Sequence, residues 1–125
     1  MIKEIELEIV RNYVNKNRQE RIIWEFDNHK RRENIMLKRF ASPDIFKKNC
    51  MDVVGYLSPN ALEKYLSQFN KETNIYFIGE NYIGDLSLKQ AVNRANTGEI
   101  CIIYCGNGIG YYQGEQENGK VPRFL

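Results

Sequence analysis

The dipeptide Asn107-Gly108 is the strongest local constraint on the fold of this 125-residue chain. It stands between EICIIYC and GYYQ, two runs rich in β-branched and aromatic residues. Asn-Gly is the favoured pair for a two-residue hairpin turn, because both turn residues must adopt positive φ. The sequence therefore predicts two antiparallel strands joined at this dipeptide.

A helix and another strand are predicted just before this hairpin. Ser87 and Gln90 match the S-x-x-Q capping box, in which two side chains satisfy free N–H groups at the start of a helix. We expect a helix over residues 88–97, with Gly98 as its C-terminal stop. The preceding run NIYFIG has the composition of a strand.

The first half of the chain gives more ambiguous patterns. KEIELEIVRNYV fits both a half-buried strand and a helix, and its Glu, Lys and Leu content favours the helix. ERIIWEFD and ENIMLKRF have the composition of two short strands separated by the polar NHKRR, which predicts a hairpin with a long turn. Ser42-Pro43 and Ser58-Pro59 each place a capping residue before a proline, so we expect a helix to begin at each.

These elements predict a single α+β domain over residues 1–125. We expect a small mixed or antiparallel sheet with β-hairpins, covered by three to four helices on one of its faces. A chain of this length buries roughly two-thirds of the surface that it exposes when unfolded. Its 42% of apolar residues supply the material for one core.

The composition predicts a soluble, cytoplasmic protein with no membrane partner. Apolar runs such as residues 101–105 are far shorter than the roughly 18 residues of a membrane span. Glu4, Glu6 and Glu8 interrupt the N-terminal segment, where a signal peptide needs a continuous apolar stretch.

The three cysteines, Cys50, Cys101 and Cys105, are predicted to be free thiols. An odd number of cysteines in a chain that can build its own core does not indicate a disulfide framework. On a strand, Cys101 and Cys105 would face the same side about 13 Å apart, too far to share one metal ion. His29 is the only histidine and cannot complete a zinc site with them. We therefore predict no metal.

No motif indicates a reaction. Gly106, Gly108 and Gly110 alternate, whereas a dinucleotide site needs G-x-G-x-x-G between a strand and a helix. His29 stands at no recognisable spacing from a nucleophile or an orienting carboxylate. We predict no catalytic residue and no small-molecule cofactor, and a small enzyme centred on His29 is the least favoured interpretation.

The basic segment is the strongest functional feature. Between residues 29 and 48 there are seven Lys/Arg and two acidic residues, a net charge of +5, whereas the whole chain carries +2. Exposed ion pairs add little to stability, so adjacent cations at a turn are available for binding a partner. The predicted partner-binding residues are Lys30, Arg31, Arg32, Tyr82, Tyr111 and Tyr112. Because neighbours on a strand point to opposite faces, one of Tyr111 and Tyr112 is expected in the core.

Three stretches carry a resemblance to a known class of proteins. KRRENIMLKRF, LKQAVNRANTGEICIIYCGNGIGYYQ and the tail GEQENGKVPRFL resemble the small immunity proteins that bacteria encode beside polymorphic or contact-dependent growth inhibition toxins. The resemblance implies a stoichiometric inhibitor that covers the active site or substrate surface of one cognate toxin domain. The alternative is a nucleic-acid-binding phage or defence-system factor that uses the basic segment over residues 29–48.

Overall fold

Residues 4–39 contain four α-helices and a 3-10 turn, Lys16–Arg18. The computed structural model of the chain describes residues 2–53, 57–69, 74–114 and 123–124, with side chains omitted at 53, 123 and 124. The helices are α1 (Glu4–Tyr13), α2 (Gln19–Asp27), α3 (His29–Arg32) and α4 (Ile35–Arg39). The helix favoured for the N-terminal segment is thus confirmed. Glu6 caps it by accepting a hydrogen bond from the Lys3 N–H at 3.0 Å.

The hairpin predicted around the basic segment is wrong. Its two supposed strands belong to α2 and α4, and the basic residues between them form α3. Ile22 and Phe26, one helical turn apart, are both buried, whereas Trp24 between them is 46% exposed. This is the periodicity of a helix. The Asn28 side chain then starts α3 by accepting hydrogen bonds from the backbone N–H groups of Lys30 and Arg31.

Both Ser-Pro pairs form caps, but only one of them starts an α-helix. The Ser58 hydroxyl accepts from the Ala61 N–H at 3.2 Å and begins α5 (Pro59–Ser67), as predicted. Ser42 is followed by a single 3-10 turn, Pro43–Ile45. This turn ends beside Tyr13 and Val14. Phe46, which follows the turn, forms an isolated antiparallel β-bridge with Val14.

The strands form one antiparallel sheet. They are β1 (Asp52–Val53), β2 (Asn74–Gly79), β3 (Ile83–Ser87), β4 (Cys101–Gly106), β5 (Ile109–Gln113) and β6 (Arg123–Phe124), in the order β1-β6-β5-β4-β2-β3. The four longer strands are neighbours, and the two-residue strands β6 and β1 lie at one edge. The α+β class and the strands around NIYFIG, EICIIYC and GYYQ are confirmed. Of the tail GEQENGKVPRFL, residues 115–122 and 125 lie outside the described residues.

The predicted turn and capping box are both present. Asn107 has φ of 53° and Gly108 has φ of 74°, the positive values that the β4–β5 hairpin turn requires. Ser87 and Gln90 close the capping box at the start of α6 (Leu88–Asn96). The helix ends at Asn96, one residue before the predicted end, and Thr97 is its C-cap.

Helices cover both faces of the sheet, not one as predicted. Alternate residues of β2 and β4 point to opposite sides and enter two separate cores. The core under α1, α2 and α4 receives Tyr76, Ile78, Ile102, Tyr104 and Tyr112 from the sheet. The core under α5 and α6 receives Ile75, Phe77, Cys101, Ile103 and Tyr111. A sheet buried on both faces explains why its strands are apolar at consecutive positions rather than at alternate ones.

Candidate protein-binding surface

Helix α3 carries the predicted basic residues but points them in different directions. Lys30 and Arg31 are exposed, whereas the Arg32 side chain is only 19% exposed. Lys30 makes no ion pair with any residue that the structure describes. The predicted group of three exposed cations is therefore reduced to two.

Trp24 on α2 lies next to these cations and is a candidate functional residue that was not among the predicted ones. The guanidinium carbons of Arg21 and Arg31 each lie 5.0 Å from the centroid of its ring. We call the group Arg21, Trp24, Lys30 and Arg31 the α3 surface. The available signal was the i, i+3 spacing of Arg21 and Trp24, which places two side chains together only on a helix.

A buried carboxylate lies beneath the α3 surface. Glu25 is 2% exposed, and one of its oxygens accepts a hydrogen bond from Arg39 Nε at 2.6 Å. Its other oxygen lies 3.9 Å from Arg31 Nη1. Arg31 is thus held between the Trp24 ring and the Glu25 carboxylate. This arrangement restricts the side chain before any partner arrives.

A cleft of about 480 Å³ lies on the opposite side of α3, against the β2–β3 turn. Its lining consists of His29, Arg32, Glu33, Asn34, Glu80, Asn81, Tyr82 and Ile83. The structure therefore brings predicted Tyr82 close to predicted Arg32. Tyr82 is 39% exposed, and its hydroxyl donates to the Asp85 carbonyl at 2.9 Å.

The Tyr82 wall of this cleft is held by an ion pair. The guanidinium carbon of Arg94 lies 5.6 Å from the centroid of the Tyr82 ring and 5.2 Å from that of Phe77. Arg94 Nε donates to Glu99 at 3.1 Å, and Glu99 accepts the Glu80 N–H at 2.9 Å. These contacts connect the β2–β3 turn and the Tyr82 ring to Arg94 of α6.

One of Tyr111 and Tyr112 was expected in the core and the other at the partner-binding surface, but both are buried. Their exposed fractions are 2% and 1%, and they enter the two different cores. The Tyr112 hydroxyl donates to the Phe40 carbonyl at 2.5 Å, and the Tyr111 hydroxyl donates to Gln113 at 2.8 Å. Because helices cover both faces of the sheet, both alternating directions are core directions, and neither tyrosine can reach a partner.

The three thiols are weak nucleophiles. Burial raises the pKa of Cys50 and of Cys101, and it raises that of Cys105 to about 11. All three are therefore protonated at neutral pH, and the thiolate is the reactive form. Within residues 2–53, 57–69, 74–114 and 123–124, no cluster of three or more His, Cys, Asp or Glu side chains has the arrangement of a metal site.

The class that these observations define is an α+β domain with an exposed tryptophan between two arginines. None of its described helices combines the length and apolar character needed to cross a bilayer. No protein-family model, curated protein or solved structure matches the chain.

Proposed function

We propose that this chain is a non-catalytic protein-binding protein, an immunity protein that binds and neutralises one cognate toxin domain through its α3 surface. The observation that carries the proposal is the 46% exposure of Trp24 between two guanidinium groups. Tryptophan and arginine are the residues most enriched among those that dominate binding energy at protein interfaces. A partner that covers Trp24 removes a large apolar ring from water.

The stacked arginines define the chemistry of the partner. A guanidinium beside an aromatic ring can still donate from its N–H groups, and these groups match the two oxygens of a carboxylate. Lys30 adds a further exposed cation. The α3 surface therefore suits an acidic face of the toxin domain, with Asp or Glu side chains that meet Arg21 and Arg31.

Two further features support a binding role rather than catalysis. The thiols are protonated at neutral pH because burial raises the pKa of each. His29, the least favoured catalytic candidate, is exposed on α3, and none of the hydrogen bonds described for it joins it to a nucleophile. The resemblance to immunity proteins favours an inhibitor among binding proteins.

The alternative, a nucleic-acid-binding factor, is supported by the same Trp–Arg stack, because bases also stack on aromatic rings. It is weakened by the state of the basic segment. Of its seven cations, Arg32 pairs with the buried Glu6 and Arg39 pairs with the buried Glu25. Because their charges are paired, Arg32 and Arg39 attract phosphate groups less strongly than the sequence suggests.

The experiment is a neutralisation assay with the toxin domain encoded by the adjacent reading frame. Cells that produce this domain should survive when they also produce the wild-type chain, and the two proteins should purify as a 1:1 complex. Trp24→Ala should lose protection, whereas Phe69→Ala should keep it. Phe69 is a matched control because it is 42% exposed and follows α5 on the other face of the sheet.

Two outcomes would contradict the proposal. One is a wild-type chain that gives no protection and forms no complex. The other is tight binding to RNA or DNA that weakens steeply with salt, which would favour the nucleic-acid alternative.

A further inference from the structure

Glu6 is a carboxylate buried in the core side of α1, with an exposed fraction of 0%. Arg32 approaches it with both terminal nitrogens, one of them at 2.6 Å from Oε1. The Tyr76 hydroxyl donates to Oε2, and the Lys3 N–H donates to Oε1 at 3.0 Å. Both oxygens of the buried charge are thus fully engaged.

These bonds connect three elements that are distant in the sequence. Arg32 is 26 residues from Glu6, and Tyr76 is 70 residues from it. The network therefore ties α3 to α1 and to β2. Removing one member would leave a buried charge without its partner. This destabilises the fold much more than replacing the whole pair with apolar residues does.

The ionic state of the network follows from its contacts. Burial by itself raises the pKa of Glu6, but the hydrogen bonds from Arg32, from the Lys3 N–H and from Tyr76 outweigh burial and lower it. The bond to Glu6 raises the pKa of Arg32. At neutral pH the pair is a carboxylate and a guanidinium.

Helix α3 cannot hold its own position. It has four residues, and a helix this short is unstable without tertiary contacts. Its local bonds are the Asn28 cap and the bond from the Arg32 N–H to the Asn28 carbonyl at 2.9 Å. Those bonds shape the turn but do not fix it against the rest of the fold. Arg31 attaches the helix to α2 through its contacts with Trp24 and Glu25. Arg32, which points inward, attaches it to Glu6 of α1.

We infer that the Glu6–Arg32–Tyr76 network holds α3 in the orientation that places Arg31 over Trp24 and Lys30 toward the partner. Arg32 is then a positioning residue of the α3 surface, and it does not contact the partner. The consequence for binding rests on the proposed function. The effect on α3 does not, because it can be measured in the isolated protein.

Trp24 supplies the readout, since it is the single tryptophan of the chain and Arg31 of α3 lies on its ring. The variant is Glu6→Gln, which keeps the shape of the side chain and removes its charge. The matched control is Glu8→Gln. Glu8 is also on α1 and also accepts a hydrogen bond from a tyrosine, Tyr104, but it has no described contact with α3.

We expect Glu6→Gln to loosen α3 while Glu8→Gln leaves it unchanged. Backbone order parameters of residues 29–32 should fall from about 0.85 toward 0.6 or less, the range of flexible segments. Quenching of Trp24 fluorescence by iodide should change in the same variant, because Arg31 no longer covers the ring. Association with the partner should slow in parallel.

Two milder variants keep the test decisive if Glu6→Gln does not fold. Tyr76→Phe removes one hydroxyl, and Arg32→Lys keeps the charge but loses the two-pronged bond to Glu6. Each should loosen α3 in part. The inference is overturned if the folded variants of Glu6, Arg32 and Tyr76 all show wild-type order parameters and wild-type quenching. If α3 loosens but partner association is unchanged, the positioning role stands and the proposed function of the α3 surface fails.

Discussion

The guanidinium of Arg31 lies on the indole ring of Trp24, with its central carbon 5.0 Å from the ring centroid. The two residues belong to different helices, so their contact joins α2 and α3 into one exposed surface. Glu25 beneath them, at 3.9 Å from Arg31 Nη1, keeps the guanidinium in place. An aromatic ring and a cation that are already ordered lose little side-chain entropy when a partner binds.

Replacing Trp24 with alanine should weaken partner binding much more than it weakens the fold. The ring is 46% exposed, so its removal leaves no large cavity. Loss of a central interface tryptophan costs about 2 kcal/mol or more, which is about a 30-fold loss of affinity. Isothermal titration calorimetry with the toxin domain measures this loss. An affinity within about threefold of wild type would place the interface elsewhere.

Glu6 should make the stability of the protein depend on acidic pH. Its folded pKa is lowered below the ordinary value of 4.5, with Arg32, Tyr76 and the Lys3 N–H as the groups that face it. The contribution of the ionised carboxylate is therefore present above pH 4.5 and is lost as the pH falls through the folded pKa. Urea unfolding at pH 7, 5, 4 and 3 measures this loss.

The Glu6→Gln variant provides the comparison for that pH series. It should be less stable than wild type at pH 7 by about 3 to 5 kcal/mol, because it leaves Arg32 without its buried partner. The difference between the two proteins should shrink toward pH 3. A difference that stays constant over this range would show that ionisation of Glu6 does not contribute to stability.

Tyr112→Phe should affect the fold and not the interface. The hydroxyl is buried and donates to the Phe40 carbonyl at 2.5 Å, so its loss leaves that carbonyl without a hydrogen bond from Tyr112. A cost of about 1 to 3 kcal/mol is expected in chemical denaturation. Partner affinity should stay at the wild-type value. Weaker binding with unchanged stability would show that Tyr112 belongs to the interface.

The thiols should react slowly in the folded protein. Burial raises the pKa of Cys101 and of Cys50 and brings that of Cys105 to about 11, so few thiolates exist at neutral pH. A thiol-specific chromogenic reagent should detect three thiols quickly in denaturant and far fewer in buffer over the same time. Rapid reaction of Cys101 in the native state would indicate that the strand opens.

The sequence predicted the second half of the fold well, because its signals are local. The Asn107-Gly108 turn and the Ser87–Gln90 capping box each depend on residues that are close in the chain. The sequence predicts a hairpin over the region of α2 to α4, because its short apolar runs fit both the period of a strand and the period of a helix. Only the tertiary packing of Ile22 and Phe26 decides for the helix.

The candidate site can be predicted only in part from the sequence, for a related reason. Lys30, Arg31 and Tyr82 are exposed as expected. The sequence predicts Arg32 at the surface, and this prediction is wrong. Its partner Glu6 is 26 residues away, and no local pattern links the two residues. The long-range contact that removes Arg32 from the surface becomes visible only in the folded chain.

We propose that an acidic protein partner binds Lys30 and Arg31 beside Trp24. Association kinetics with the toxin domain test it most directly, with the wild type compared with Lys30→Glu/Arg31→Glu. The control Lys64→Glu/Lys89→Glu changes the net charge equally at exposed positions of α5 and α6, on the other face of the sheet. The control should melt within about 3 °C of wild type. Lys30→Glu/Arg31→Glu should be less stable, because it places a carboxylate beside the buried Glu25, so the rates are compared at a temperature at which both variants are folded.

We expect Lys30→Glu/Arg31→Glu to lower the association rate about tenfold or more at low salt and by less at high salt. The control should associate at close to the wild-type rate. Equal rates for the wild type and Lys30→Glu/Arg31→Glu, or an equal decrease in both variants, would contradict the claim that the α3 surface is the binding site.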